Sequence, residues 1–181
     1  TFGGLDILIN NVGIAGPRKP AEEITGDAFM ETLAVNLGGV FNPTRAAIPY
    51  LKDSTAGRVV NISSKSAKLP RTNRTPYSAS KMGIIGFTRA LALELAEHDV
   101  TANTVCPGTV GGDRLDRVMA MRAENTGVAV DEVEREFRES SPMGVLTEAG
   151  DIADMVLFLC STRAEHVVGQ DLNVSAGRIM F

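Results

Sequence analysis

The chain's 181 residues are enough for one domain with a buried core, and a composition that is 44% apolar and 22% charged is that of an ordinary globular protein. A net charge of −4, with no Lys/Arg cluster interleaved with aromatics, excludes a nucleic-acid or anionic-membrane surface. No apolar run reaches the roughly 20 residues that span a bilayer, and no signal segment opens the chain, so a cytoplasmic protein is expected.

Short apolar runs alternate with longer helical patterns along the chain, which predicts an α/β fold with a parallel sheet. The first run, Leu5–Asn10, is apolar enough to predict a strand covered on both faces. An apolar strand makes a poor sheet edge, and the chain starts at Thr1 immediately before it. The N-terminal βαβ portion of the sheet is therefore expected to be missing from this chain. Thr25 or Asp27 caps a helical pattern through Phe29, Leu33, Val35 and Val40 toward Leu51, with Pro43 and Pro49 inside it. Arg58–Ile62 reads as a second strand. A long helix from about Thr75 to Glu97 follows, with Ile84, Ile85, Phe87, Leu91 and Leu95 as its apolar stripe. Val100–Val105 is the third strand. Helical patterns over Arg114–Asn125, Asp131–Glu139 and Glu148–Leu159 precede the last strand, Asp171–Val174. No boundary interrupts this alternation, so residues 1–181 read as a single domain. Cys106 and Cys160 both sit in apolar stretches and read as reduced core cysteines, and two histidines leave no basis for a metal site.

The chemistry-bearing stretch is Arg58-Val59-Val60-Asn61-Ile62-Ser63-Ser64, followed by Tyr77-Ser78-Ala79-Ser80-Lys81. Tyr77 and Lys81 are four apart on a predicted helix and share one face. A phenol titrates near 10, so using it at neutral pH requires roughly 4 kcal/mol of preference for its ionised form. An ammonium one turn away supplies part of that. Ser64, at a strand end, is placed to donate to an oxygen that Tyr77 also contacts, which is what hydride transfer to a carbonyl needs. Alone, a Tyr and a Lys at this spacing describe an ordinary exposed pair. The ordered neighbours, Asn36 upstream of Ser64 and Pro107-Gly108 after the third strand, change that reading.

From Leu5 to Gly177 these segments resemble the classical short-chain dehydrogenase/reductase family. Asn10-Asn11-Val12-Gly13 is similar to the family's Asn-Asn-Ala-Gly turn, and Val35-Asn36-Leu37 to the segment carrying its active-site asparagine. The resemblance implies a Rossmann-like doubly wound sheet and an NAD(P)-dependent oxidoreductase acting on an alcohol or carbonyl substrate. It implies Asn36, Ser64, Tyr77 and Lys81 as catalytic residues, Asn36 holding a proton-relay water and Lys81 also binding the nicotinamide ribose. It implies Asn11, Gly13, Tyr77, Lys81, Pro107, Gly108 and Val110 at the cofactor, residues 111–143 as a variable substrate lid that orders when ligand binds, and a homotetramer or homodimer packed through Asn36–Leu51 and Tyr77–Glu97.

Departures from the family pattern are Val12 for alanine, Gly112 where a carboxamide-binding threonine is usual (with Thr109 as a possible substitute), and Ser175-Ala176-Gly177 near the end. No glycine-rich strand-to-helix turn is present to cradle a pyrophosphate, so NAD and NADP stay equally open. Ser63 reads as structural, and Arg71, Asn73 and Arg74 as solvated loop charges near the substrate's approach. Val118, Met119 and Met121 are either pocket lining or an ordinary helix face. The competing reading is a truncated, non-catalytic remnant of the family acting, if at all, as an interaction module.

Overall fold

The computed structural model describes residues 3–181. Its sheet has four parallel strands in sequence order: β1 (Ile7–Asn10), β2 (Arg58–Ile62), β3 (Thr101–Pro107) and β4 (Asp171–Val174). Registers run from Ile7 opposite Arg58, through Arg58 opposite Thr101, to Thr104 opposite Asp171. The connections carry α1 (Gly26–Leu33) and α2 (Gly39–Lys52), then α3 (Lys65–Lys68) and α4 (Thr75–Leu95), then α5 (Asp113–Thr126), α6 (Val130–Glu139) and α7 (Ala149–Cys160).

Strand alternation sorts the helices into two layers. Val59 of β2 and Ala102 of β3 point to one face, where Ala47 and Leu51 of α2 and Leu91, Ala92 and Leu95 of α4 close over them. Val60, Ile62 and Val105 point to the other, against Val156 and Leu159 of α7. The sheet is thus covered on both sides, as a doubly wound fold requires. A smaller cluster, Leu115, Met119, Ala123, Val133 and Leu146, joins α5 to α6 away from the sheet. None of the helices among the described residues is long and apolar enough to cross a membrane.

Three differences from expectation have local causes. The expected helix through Leu51 is split by a π-helical turn, Ala34–Gly38, and begins with the Thr25 hydroxyl accepting from the Ala28 N–H at 3.2 Å. Pro43 and Pro49 are tolerated inside α2. A short helix, α3, follows β2 where no element was expected; four residues are too few to show a period. Finally, β1 is not covered on both faces: Leu8 packs on the core, while Ile7 and Ile9 are 42% and 49% exposed at the sheet's unpaired side among the described residues.

Beneath the strand ends lies a satisfied polar ladder. The Asn10 side-chain amide donates to Thr44 at 3.0 Å and to Asn61 Oδ1 at 2.8 Å, and Asn61 Nδ2 donates to Thr88 Oγ1 at 2.9 Å. Both threonines pass the chain on to helix carbonyls. Burying amides is tolerable only when they are partnered, so the ladder fixes β1 and β2 against α2 and α4.

Candidate active site

The carboxyl ends of the strands open into a cavity of about 1030 Å³. Its lining includes Asn11 and Gly13 after β1, Ser64 after β2, Tyr77 and Lys81 on α4, and Pro107, Gly108 and Val110 after β3. These are the residues the sequence proposed for catalysis and cofactor binding, with one exception. Asn36 lies behind the wall, fully buried.

Local chemistry explains each position. Pro76 opens α4, where a fixed φ and a missing N–H cost nothing. One turn into the helix the Ser63 hydroxyl donates to the Lys81 carbonyl at 2.7 Å, tying α4 to the end of β2. That bond gives Ser63 a structural part, while the residue also lines the cavity. Ser64 caps α3, accepting from the Ser66 N–H at 3.1 Å, and its own hydroxyl hydrogen stays available toward the cavity. Lys81, 5% exposed, donates from Nζ to the Ile62 carbonyl at 2.9 Å. Burial, reinforced by the charge of Arg114, lowers its pKa to about 8. The same ammonium stands 6.0 Å from the Tyr77 ring centre, and the Arg74 guanidinium lies over that ring at 4.3 Å.

Asn36 sits in the π-helical turn, a device that re-aims a helix side chain. Its amide clamps Ile14, accepting from the N–H at 2.7 Å and donating to the carbonyl at 3.1 Å. It also donates to Ser80 Oγ at 2.9 Å, which in turn donates to the Tyr77 carbonyl at 2.8 Å. One buried amide thus connects the loop after β1 to the turn that presents Tyr77. Ser80 was not singled out from sequence; its signal was a small hydroxyl on the buried face of α4, one residue before Lys81.

Two loop glycines are required by close packing of the protein on itself. A Cβ at Gly13 would sit 3.1 Å from Asn36 Oδ1 and 3.4 Å from Lys81 Nζ. One at Gly108 would lie 2.7 Å from the Ser175 Cα. The bulk of Val12 is accommodated opposite Gly39, where a Cβ would meet its methyl at 2.8 Å. Thr109 is engaged by the Lys65 ammonium. Among the three residues left open on α5, Val118 lines the cavity, Met119 is buried in the α5–α6 cluster, and Met121 is exposed.

Lys65, the residue after Ser64, is the largest omission of the sequence reading. It is buried, lines the cavity, and has its pKa lowered to about 7, mainly by burial and then by the charges of Arg71 and Arg178. Arg71 and Arg74, read from sequence as solvated loop charges, also line the cavity.

The chain is similar to known proteins along nearly its whole length. A family model described as enoyl-(acyl carrier protein) reductase matches residues 1–178. D-beta-hydroxybutyrate dehydrogenase of Cupriavidus necator is 34% identical over 177 residues, covering 97% of this chain and 68% of that protein. Sorbitol-6-phosphate 2-dehydrogenase SrlD from Erwinia amylovora superposes with a TM-score of 0.92 at 31% identity, over 99% of this chain and 71% of that one. A point variant of actinorhodin polyketide ketoreductase, solved with NADPH, gives 0.89 at 34% identity, over 98% and 68%.

Proposed function

The chain belongs to the short-chain dehydrogenase/reductase family, and from that premise we propose that it serves NAD(P)-dependent interconversion of an alcohol and a carbonyl compound. The observation that carries the reading is the convergence of Ser64, Tyr77 and Lys81 on one cavity beside the Pro107–Val110 loop. Asn11, Gly13, Pro107, Gly108 and Val110, which line the cavity, would hold the nicotinamide end of NAD or NADP. The bound nicotinamide supplies the hydride acceptor or donor.

The rest of the chemistry falls to side chains of this chain. Ser64 Oγ–H donates to the substrate oxygen and fixes its direction. The Tyr77 hydroxyl gives that oxygen a proton in reduction and takes it back in oxidation. Lys81, held one helical turn away, stabilises the negative charge left on the tyrosine oxygen. Asn36 is a positioning residue: through Ile14 and Ser80 it sets the loop and the helix turn relative to each other. The buried amide and ammonium required for this are costly to keep, which supports the catalytic reading over a non-catalytic remnant. The exposed apolar side chains Phe41 and Tyr50 on α2, and Met82 and Leu93 on α4, support assembly as a homodimer or homotetramer through those helices.

The test is a fluorescence titration with NADH and NADPH, followed by a carbonyl-reduction assay of wild type and Tyr77→Phe. Saturable binding by both proteins, with turnover only in the wild type, is expected. A Tyr77→Phe enzyme retaining more than about a tenth of wild-type kcat would refute the assignment of the proton to Tyr77.

A further inference from the structure

The cavity is lined by Arg18, Lys65, Arg71, Arg74, Lys81 and Arg114, and by no Asp or Glu among the described residues. That is a strong local excess in a chain whose net charge is −4. Apart from Lys81, whose place beside Tyr77 is already explained, none of these cations forms an ion pair with a carboxylate among the described residues. Elsewhere among the described residues Lys68, Arg89, Arg122, Arg135 and Arg138 are paired while others such as Arg45 and Arg58 are not, so the gathering of these cations at one cavity is what sets them apart. The charges of Arg71 and Arg178 act on Lys65, and Arg74 is acted on by Arg18, Arg114 and Arg71 against an opposing effect of Tyr77. Lys65 is the telling member. Its ammonium is buried and its hydrogen-bond partner is a neutral hydroxyl, that of Thr109. A buried cation without a counter-charge is unfavourable, and burial lowers the Lys65 pKa to about 7, whereas Arg18, Arg71 and Arg114 stay exposed to solvent. An anion entering this space would offset both the burial and the mutual repulsion.

Position indicates which anion. Lys65 directly follows Ser64, and Arg71 and Arg74 lie on the connection from Ser64 to Tyr77, Arg74 stacked on the Tyr77 ring itself. These three line the same cavity as Ser64 and Tyr77, where the substrate oxygen would sit. Resting on the oxidoreductase reading, we infer that the substrate carries an oxyanion, a carboxylate or a phosphate ester, gripped by Lys65, Arg71 and Arg74 while Ser64 and Tyr77 hold its carbonyl or alcohol oxygen. Charge-assisted bonds from a planar guanidinium suit either oxyanion.

The experiment compares matched probes: acetoacetate against methyl acetoacetate, and dihydroxyacetone phosphate against dihydroxyacetone, with NADH or NADPH. It adds calorimetric titration of malonate and of inorganic phosphate. Wild type and the R71Q/R74Q double variant are measured, with circular dichroism to verify folding. The charged member of at least one pair is expected to lead in kcat/KM by about tenfold or more. The double variant should remove that lead by raising the charged probe's KM, and should weaken malonate or phosphate binding by a similar factor. The pair that shows the lead separates carboxylate from phosphate. Equal use of charged and neutral probes, anion affinity unchanged in the variant, or anion inhibition competing with the nicotinamide cofactor instead of the carbonyl would each overturn the proposal. Anion binding lost in the variant, with no carbonyl probe reduced, would keep the oxyanion grip and defeat the oxidoreductase reading. Neutral carbonyls reduced without any anion effect would do the reverse.

Discussion

Replacing Lys81 by methionine removes one charge while keeping an unbranched side chain, and it tests the acid–base arrangement directly. In the wild type, Nζ lies 6.0 Å from the Tyr77 ring centre. Taking the developing charge as centred on the ring, two unit charges at that separation, with an effective dielectric near 20, interact by about 3 kcal/mol. That energy stabilises the negative charge developing on the tyrosine oxygen as the proton moves. Its loss corresponds to a drop on the order of 100-fold in kcat. Stability should change far less, because the variant loses the bond to the Ile62 carbonyl but also sheds the cost of a buried ammonium. The assay is the pH dependence of kcat for wild type and Lys81→Met under saturating cofactor. Because the Lys81 pKa is lowered to about 8, its charge is present below that value and is lost as pH rises through it. The wild-type advantage over the variant should therefore shrink above about pH 8. A variant within threefold of wild type at neutral pH, or a ratio independent of pH, would refute the role given to Lys81.

Three further expectations concern the frame around the site. Gly108→Ala would place a Cβ 2.7 Å from the Ser175 backbone, so a loss of roughly 1–3 kcal/mol is expected; a melting temperature equal to wild type would contradict that close approach. Asn61→Leu strips a partner from both Asn10 and Thr88 in the buried ladder and should cost about 2–4 kcal/mol by denaturant titration, whereas a neutral result would mean the ladder is not the tie it is taken to be. Burial pushes the Cys106 thiol up to about 11 and also raises that of the partly exposed Cys160. Thiol titration of the native protein at pH 8 should accordingly modify Cys160 first and Cys106 only on unfolding; rapid labelling of both would refute this packing.

Much of the frame was legible in the residues alone. β2 and β4 occupy the runs Arg58–Ile62 and Asp171–Val174 read from apolar pattern, and α4 starts at Thr75 as predicted. The spacing of Ser64, Tyr77 and Lys81 placed them at a strand end and on one helix face, because strand and helix periods are local properties of the chain. What required the tertiary structure is whatever depends on partners distant in sequence. The π-helical turn at Asn36 is held by Ile14, 22 residues earlier, and by Ser80, 44 later, so no local pattern announces it. The exposure of Ile7 and Ile9 follows from which face of β1 the helices cover, the one carrying Leu8, not from how apolar β1 is. Lys65 reads as an ordinary lysine until the fold buries it against Thr109. Arg71 stays exposed as read, but only the fold places it in one cavity with Arg74 and Tyr77. Charge and hydrogen-bonding capacity belong to the residue; whether they are screened, satisfied or left facing one another is set only when the chain folds.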